Sequence, residues 1–249
     1  MLNRPIVVGF VGISGSGKST IASLVVNKLR ESKQRISFIK ADHYYKDTSS
    51  ITKKKILDYN FERLEALELN ALYDDICTLK KGKSVKKRVN KFVQKEDADD
   101  SEYILPGKII IIEGLFLLAD ERIRNLMDTI FMIDTPLDCA LIRRINRNLE
   151  LRSNCKYTLV NYEKFIKPAA ITHILGMKKF ATHILQNESK ADLKFSVIVA
   201  DQIIKMLLAN AKELNYGKGK FSLFTKGPNK DKSSSMPRSF STSCLTLNI

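Results

Sequence analysis

An α/β fold, with helices layered on both faces of a parallel sheet, follows from three features of the sequence. Uninterrupted apolar runs of strand length recur along the chain: "PIVVGFV" at 5–11, "RISFIK" at 35–40, "GKIIIIEGLF" at 107–116 and "TIFMIDTP" at 129–136. Runs without polar alternation mark strands buried on both faces, as in parallel sheets. The first of them passes into helical spacing, with Ile21, Leu24, Val25 and Leu29 along "STIASLVVNKLRESK". Between that strand and that helix lies a glycine-rich turn. With 249 residues, 44% of them hydrophobic, the chain has enough apolar side chains for one sizeable core.

The turn reads "GFVGISGSGKST" and contains Gly12-x-x-x-x-Gly17-Lys18-Ser19, the complete phosphate-loop pattern. Glycines there let backbone N–H groups line a concavity for phosphate oxygens, next to the positive end of the following helix. Lys18 is placed to reach the outer phosphates, and Ser19 to bind Mg²⁺. A lysine followed by a hydroxyl is specific to a nucleoside triphosphate with its metal, unlike the dinucleotide fingerprint.

The second run ends in "ADHYYKD", which places Asp42 just beyond the carboxyl end of a strand, where the glycine turn also lies. A carboxylate there either orients an attacking hydroxyl and accepts its proton, or caps the next segment. The third run closes on Glu113 directly after four isoleucines. A charge in that position is costly unless solvated, paired or near a metal, so Glu113 is either part of a Mg²⁺ and water network or a structural acid. After the fourth run comes "LDCALIRRINRNLELR", carrying Arg143, Arg144, Arg147 and Arg152. Helical spacing can bring Arg144 or Arg143 together with Arg147, as a lid over phosphate or as a solvated face.

The formal charge of +15 is uneven: residues 80–95 hold eight basic and no acidic side chains, followed at once by "EDADDSE". A solvated hairpin surface is the plain reading, phosphorylated ligands come next, and nucleic acid is a distant third. Cys77, Cys139, Cys155 and Cys244 form no ligand-spaced cluster. No secretory leader and no apolar run of membrane-spanning length is visible, so a cytoplasmic, non-membrane protein is expected. Near residue 215 the composition turns to Ser, Lys, Gly and Pro. The compact domain is therefore expected over 1–212 and a disordered tail over 213–249.

Taken in order, the glycine turn, "ADHYYKD", "DYNFERLEAL", "IIIIEGLFLL", "IDTPLDCALIRRINRN" and "YEKFIKP" resemble the uridine-cytidine kinase group of P-loop nucleoside kinases, over roughly residues 5–208. The likeness extends to phosphoribulokinase and nicotinamide riboside kinase. It implies a P-loop NTPase-like three-layer fold with a five-stranded parallel sheet, a small β-hairpin insertion at about 80–104 and a helical lid at about 137–168. It also implies transfer of the terminal phosphoryl of ATP or GTP, with Mg²⁺, to the 5′-hydroxyl of a uridine or cytidine substrate. By that pattern Gly12, Ser14, Gly15, Ser16, Gly17, Lys18, Ser19 and Thr20 surround the phosphates, and Asp42 is general base. Glu113, with Ser19 and Asp42, belongs to the Mg²⁺ network; Arg144 and Arg147 are lid arginines. Tyr44, Glu62, Arg144 and Arg152 join Asp42 around the acceptor. The group's members are often tetramers, so a homo-tetramer or dimer is implied.

The departures lie in the acceptor and base-recognition parts. The family pattern Asn-Phe/Tyr-Asp-His-Pro-x-Ala reads "NFERLEA" here, with Glu62 for the ribose-binding Asp. The pyrimidine-reading Tyr and His fall on Asn90 and Lys95, and the last Arg of Glu-Arg-Gly-Arg falls on Asn154. The Pro-Arg-Gly that borders the nucleotide base is replaced around "LQNES", Leu185 to Ser189. Losing built-in hydrogen-bond partners shifts substrate choice strongly. Two alternatives therefore stand beside a pyrimidine nucleoside kinase: a kinase for another ribosyl or sugar alcohol, and an ATP-binding regulatory protein without acceptor turnover.

Overall fold

The computed structural model describes residues 4–47, 59–88, 102–150, 155–188, 193–216 and 243–245. All four apolar runs form strands: β1 (Ile6–Gly12), β2 (Ile36–Lys40), β5 (Ile109–Gly114) and β6 (Thr129–Asp134). A fifth, β7 (His183–Gln186), follows later. Together they make one parallel sheet in the order β2-β5-β1-β6-β7. The chain first builds outward on one side of β1 and then on the other. That reversal leaves a crevice at the carboxyl end of β1, the usual ligand position in such sheets.

Alternation along the strands feeds two cores. Val7, Val11, Ile110, Ile112 and Met132 face one layer, packed against α2 (Leu69–Lys80) through Leu72, Ile76 and Leu79. Val8, Phe10, Ile111, Phe131 and Ile133 face the other, against α1 (Lys18–Glu31) and α6 (Leu193–Tyr216). Two helical layers around a sheet buried on both faces account for the three-layer architecture. Lys28 of α1 pairs with Asp201 of α6 at 2.5 Å across the outer surface.

Between β2 and β5, β3 (Val85–Lys86) and β4 (Tyr103–Ile104) form a short antiparallel ladder, where the hairpin insertion is expected. Asp120 caps α3 (Glu121–Leu126), accepting from the Arg122 and Ile123 amides. After β6 comes α4 (Leu137–Glu150), the arginine-bearing helix, and then α5 (Cys155–Asn161). The helical path continues beyond the expected lid boundary at 168, through π-helical turns at Tyr162–Ile166 and Ala170–Ile174, to a 3₁₀ segment ending at Phe180. Pro168 sits at the start of the short α turn between the two π turns, where its missing N–H is tolerated.

The last helix runs through Tyr216, a few residues past the expected domain end near 212. Within the segment expected to be a disordered tail, β8 (Ser243–Leu245) pairs in parallel with β7, because the outer edge of β7 presents unpaired backbone groups that a short segment can satisfy. Residues 217–242 and 246–249 lie outside the described residues. Among the described residues, no helix is long and apolar enough to cross a membrane.

Candidate active site

The glycine turn leaves β1 at Gly12 and closes by a Ser16 N–H to Ile13 carbonyl bond of 3.0 Å, and α1 begins at Lys18. Gly15 has φ +88° and Gly17 φ +90°, values that L side chains rarely adopt. At Gly15 a Cβ would also stand 2.5 Å from the Ala140 carbonyl oxygen of α4, so the loop and that helix touch backbone to backbone. Beside the turn lies a cavity of about 400 Å³, walled on the loop side by Ser14, Gly15, Gly17, Lys18, Ser19 and Thr20. From the other side come Asp42, Arg143, Arg144 and Arg147, with Asn187 and Ser196 completing the wall.

Asp42 arrives from a 3₁₀ turn, Ala41–Tyr44, that directly continues β2. Glu113 comes from the end of β5, in register with Lys40 of β2 and Phe10 of β1. It is almost wholly buried and accepts a 3.0 Å bond from the Ser19 hydroxyl. Burial pushes its carboxyl up to about 7, a rise that the Lys18 charge opposes and the Asp42 charge adds to. Two hard oxygen donors in contact, facing a lysine and a second carboxylate, fit Mg²⁺. Among the described residues there is no cluster of three His, Cys, Asp or Glu side chains able to hold a metal. Mg²⁺ needs none, since it takes one or two protein oxygens plus water and phosphate.

Glu62 lies within electrostatic reach of Arg144, Lys18, Asp42 and Arg147; burial raises its carboxyl, and the three cations pull the other way. Its backbone is set locally, because the Asn60 side chain accepts from the Glu62 N–H at 2.9 Å, a turn-forming contact. Phe61 next to it meets Tyr59 and Tyr45 edge-on, at 4.7 and 5.6 Å between ring centres. An isolated antiparallel bridge, Tyr45 with Leu67, ties the Asp42 turn to the Glu62 segment.

Besides Glu62 and Glu113, three described residues among those predicted are absent from the cavity wall. Gly12 is buried against β6, where a Cβ would be 2.6 Å from the Ile133 carbonyl oxygen. Ser16 is fully buried behind the loop. Tyr44 points into the core, its hydroxyl donating to Asp75 at 2.8 Å beneath the Arg88 guanidinium, which stands 5.0 Å from the ring. Tyr45 takes the active-site side instead: burial, then the charges of Asp42 and Glu62, hold its phenol well above the ordinary range. Arg144 bonds Ser14 Oγ and is lowered by burial, with Glu62 compensating. Arg147 reaches the cavity, while Arg152, Asn90, Lys95 and Asn154 lie outside the described residues. Sequence reasoning left Arg143 open between lid and solvated face, and it missed Asn187 as a site residue. The place of Asn187 just past a strand's carboxyl end is the signal that identifies it.

A phosphate-loop turn facing a carboxylate and three arginines has the make-up of a P-loop phosphotransferase site, and the protein is a kinase of that class. It belongs to the phosphoribulokinase/uridine kinase family, whose profile matches residues 7–194. Among its relatives, the uridine kinase of Cronobacter sakazakii (strain ATCC BAA-894) is 32% identical over 198 residues, covering 78% of this chain and 93% of the relative. The uridine kinase of Aliivibrio salmonicida (strain LFI1238) is 34% identical over 198 residues, covering 78% and 92%. A putative fructose transport system kinase from Silicibacter sp. TM1040 superposes with a TM-score of 0.56 at 18% identity, over 68% of this chain and 84% of that one. The phosphoribulokinase from Rhodobacter spheroides gives 0.55 at 15% identity, over 79% and 74%. These two likenesses show the shared fold.

Proposed function

We propose that the protein is a nucleoside kinase that moves the terminal phosphoryl group of ATP or GTP to the 5′-hydroxyl of uridine or cytidine. The observation that carries this reading is that Asp42 shares one cavity with Lys18 and Ser19. A base must stand within reach of both the acceptor hydroxyl and the phosphorus it attacks. The pyrimidine nucleoside is suggested by the relatives, which are uridine kinases at 32–34% identity.

In this mechanism the loop amides and Lys18 hold the phosphates, and Asp42 orients the acceptor hydroxyl and takes its proton as the new P–O bond forms. Arg144 and Arg147 offset charge that builds on the phosphoryl oxygens and help exclude water. Ser19 and Glu113 would hold Mg²⁺, which when bound neutralises phosphate charge and orients the chain being cut. Glu62, already surrounded by cations, accepts from hydroxyls of the acceptor's sugar ring.

The test is an acceptor panel with Mg-ATP and Mg-GTP and mass detection of product, with uridine and cytidine first. UMP and CMP as the best products support the reading. Preferred phosphorylation of another ribosyl or sugar alcohol would keep the kinase and replace the acceptor, as Glu62 in the place of the family's Asp favours. Nucleotide binding with no product from any acceptor would reject turnover.

A further inference from the structure

Behind the glycine turn, three side chains from distant parts of the chain converge on one atom, the carbonyl oxygen of Ser16. Asn187 Nδ2 donates to it at 2.7 Å, Thr135 Oγ1 at 3.2 Å and Arg143 Nη1 at 3.3 Å. Arg143 Nη1 also reaches the Gly15 carbonyl at 3.5 Å. The clamp is itself braced. Arg143 Nη2 donates to the Asn187 carbonyl at 2.9 Å and to Asn187 Oδ1 at 3.3 Å, which fixes the amide with its NH₂ toward Ser16. The Asn187 N–H donates to the Asp134 carbonyl at the end of β6 at 2.8 Å. Thr135 and Asn187 are both buried.

We propose that Thr135, Arg143 and Asn187 are positioning residues of the phosphate-binding loop, acting through the Ser16–Gly17 peptide. No peptide in the described chain is cis. In a planar trans unit the C=O and the following N–H point in opposite directions. Anchoring the Ser16 oxygen to the β6 and β7 ends therefore fixes the Gly17 N–H on the opposite side of the peptide, in a loop whose Gly17, Lys18 and Ser19 line the cavity. A loop with its amide held before the ligand arrives binds phosphate without first losing that rotational freedom. The clamp requires a glycine at position 17, because a Cβ at this residue would sit 2.9 Å from Asn187 Nδ2.

The inference rests on the loop being a phosphate site, and its test is built so that the two fail differently. Thr135 is the informative position, since it is not on the cavity wall and Thr135→Val keeps the shape while removing only the hydroxyl. Calorimetric titration with Mg-ADP and Mg-ATP, alongside thermal melting, should show Kd raised about threefold to tenfold, the loss of one net hydrogen bond. Thr135→Ser, which keeps the donor, should restore binding, and the KM of the acceptor should not move in either variant. Asn187→Ala should weaken nucleotide binding more, because it also removes the brace of Arg143. The proposal is overturned if folded Thr135→Val binds nucleotide like the parent, or if Thr135→Ser is as impaired as Thr135→Val. Failure of the parent protein to bind any Mg-nucleotide would instead sink the phosphate-site reading itself.

Discussion

The glycine-turn side of the candidate site is made largely of backbone held from behind, whereas the proposed acceptor side is made of side chains delivered by separate segments. On the first, Gly15 and Gly17 adopt positive φ, α4 packs against the loop backbone, and the Ser16 carbonyl is clamped. On the second, Asp42 and Tyr45 come from one turn and Glu62 from another, joined by a single bridge and an aromatic cluster. Backbone geometry tolerates little change, and the glycine turn keeps the full phosphate-loop pattern. Side chains can be exchanged one by one, and the acceptor side carries the departures at Glu62 and its neighbours. The proposed function thus separates triphosphate handling from acceptor choice.

Variants can break that separation or sharpen it. The largest effect on nucleotide binding is expected from Lys18→Met, which removes a buried cation facing both Glu62 and Glu113. Mg-ATP affinity and transfer should fall together, the rate by about 10²-fold or more, as read by titration and product formation. Glu62→Gln comes next and should act on one side only. The KM for the acceptor should rise about tenfold, the value of a hydrogen bond to a charged group, with the nucleotide Kd unmoved. A parallel loss of nucleotide affinity would show that the two sides are not independent.

Tyr44→Phe should be milder, since it removes the hydroxyl contact to Asp75 while leaving the ring under Arg88. Stability should drop by about 1 kcal/mol in denaturant melts, with little change in either binding constant. The smallest effect concerns pH. His183 stacks on Phe131 at 5.0 Å, and burial lowers its imidazole. Its protonation is therefore easier in the unfolded chain, so the neutral-ring stability is present above the ordinary histidine value and is lost as pH falls below it. Thermal melts from pH 7.5 to 5.5 should decline slightly less steeply for His183→Phe than for the parent.

What the sequence disclosed follows the same division. The loop was legible because its glycines, lysine and hydroxyl act within nine residues, and the strands because burial on both faces leaves continuous apolar runs such as Ile109–Ile112. Strand ends then located Asp42 and Glu113. Strand β7 escaped because His183 and Gln186 interrupt its apolar character. The clamp escaped because Thr135 and Asn187 meet Ser16 across 119 and 171 residues. The choice between Tyr44 and Tyr45 was also hidden: Tyr44 ends the 3₁₀ turn and Tyr45 is already extended, and only the fold decides which one faces the core. Gly12 and Ser16 fit the motif's spacing, but serve it by packing behind the loop.

The most direct measurement is Mg-ATP titration together with phosphoryl transfer for Asp42→Asn, using uridine or the best acceptor from the panel. The account predicts a nucleotide Kd within about threefold of the parent and turnover lower by about 10³-fold, the loss expected for a positioned base. Turnover close to the parent's would contradict the role of Asp42, and so the claim that triphosphate grip and acceptor activation meet in this cavity.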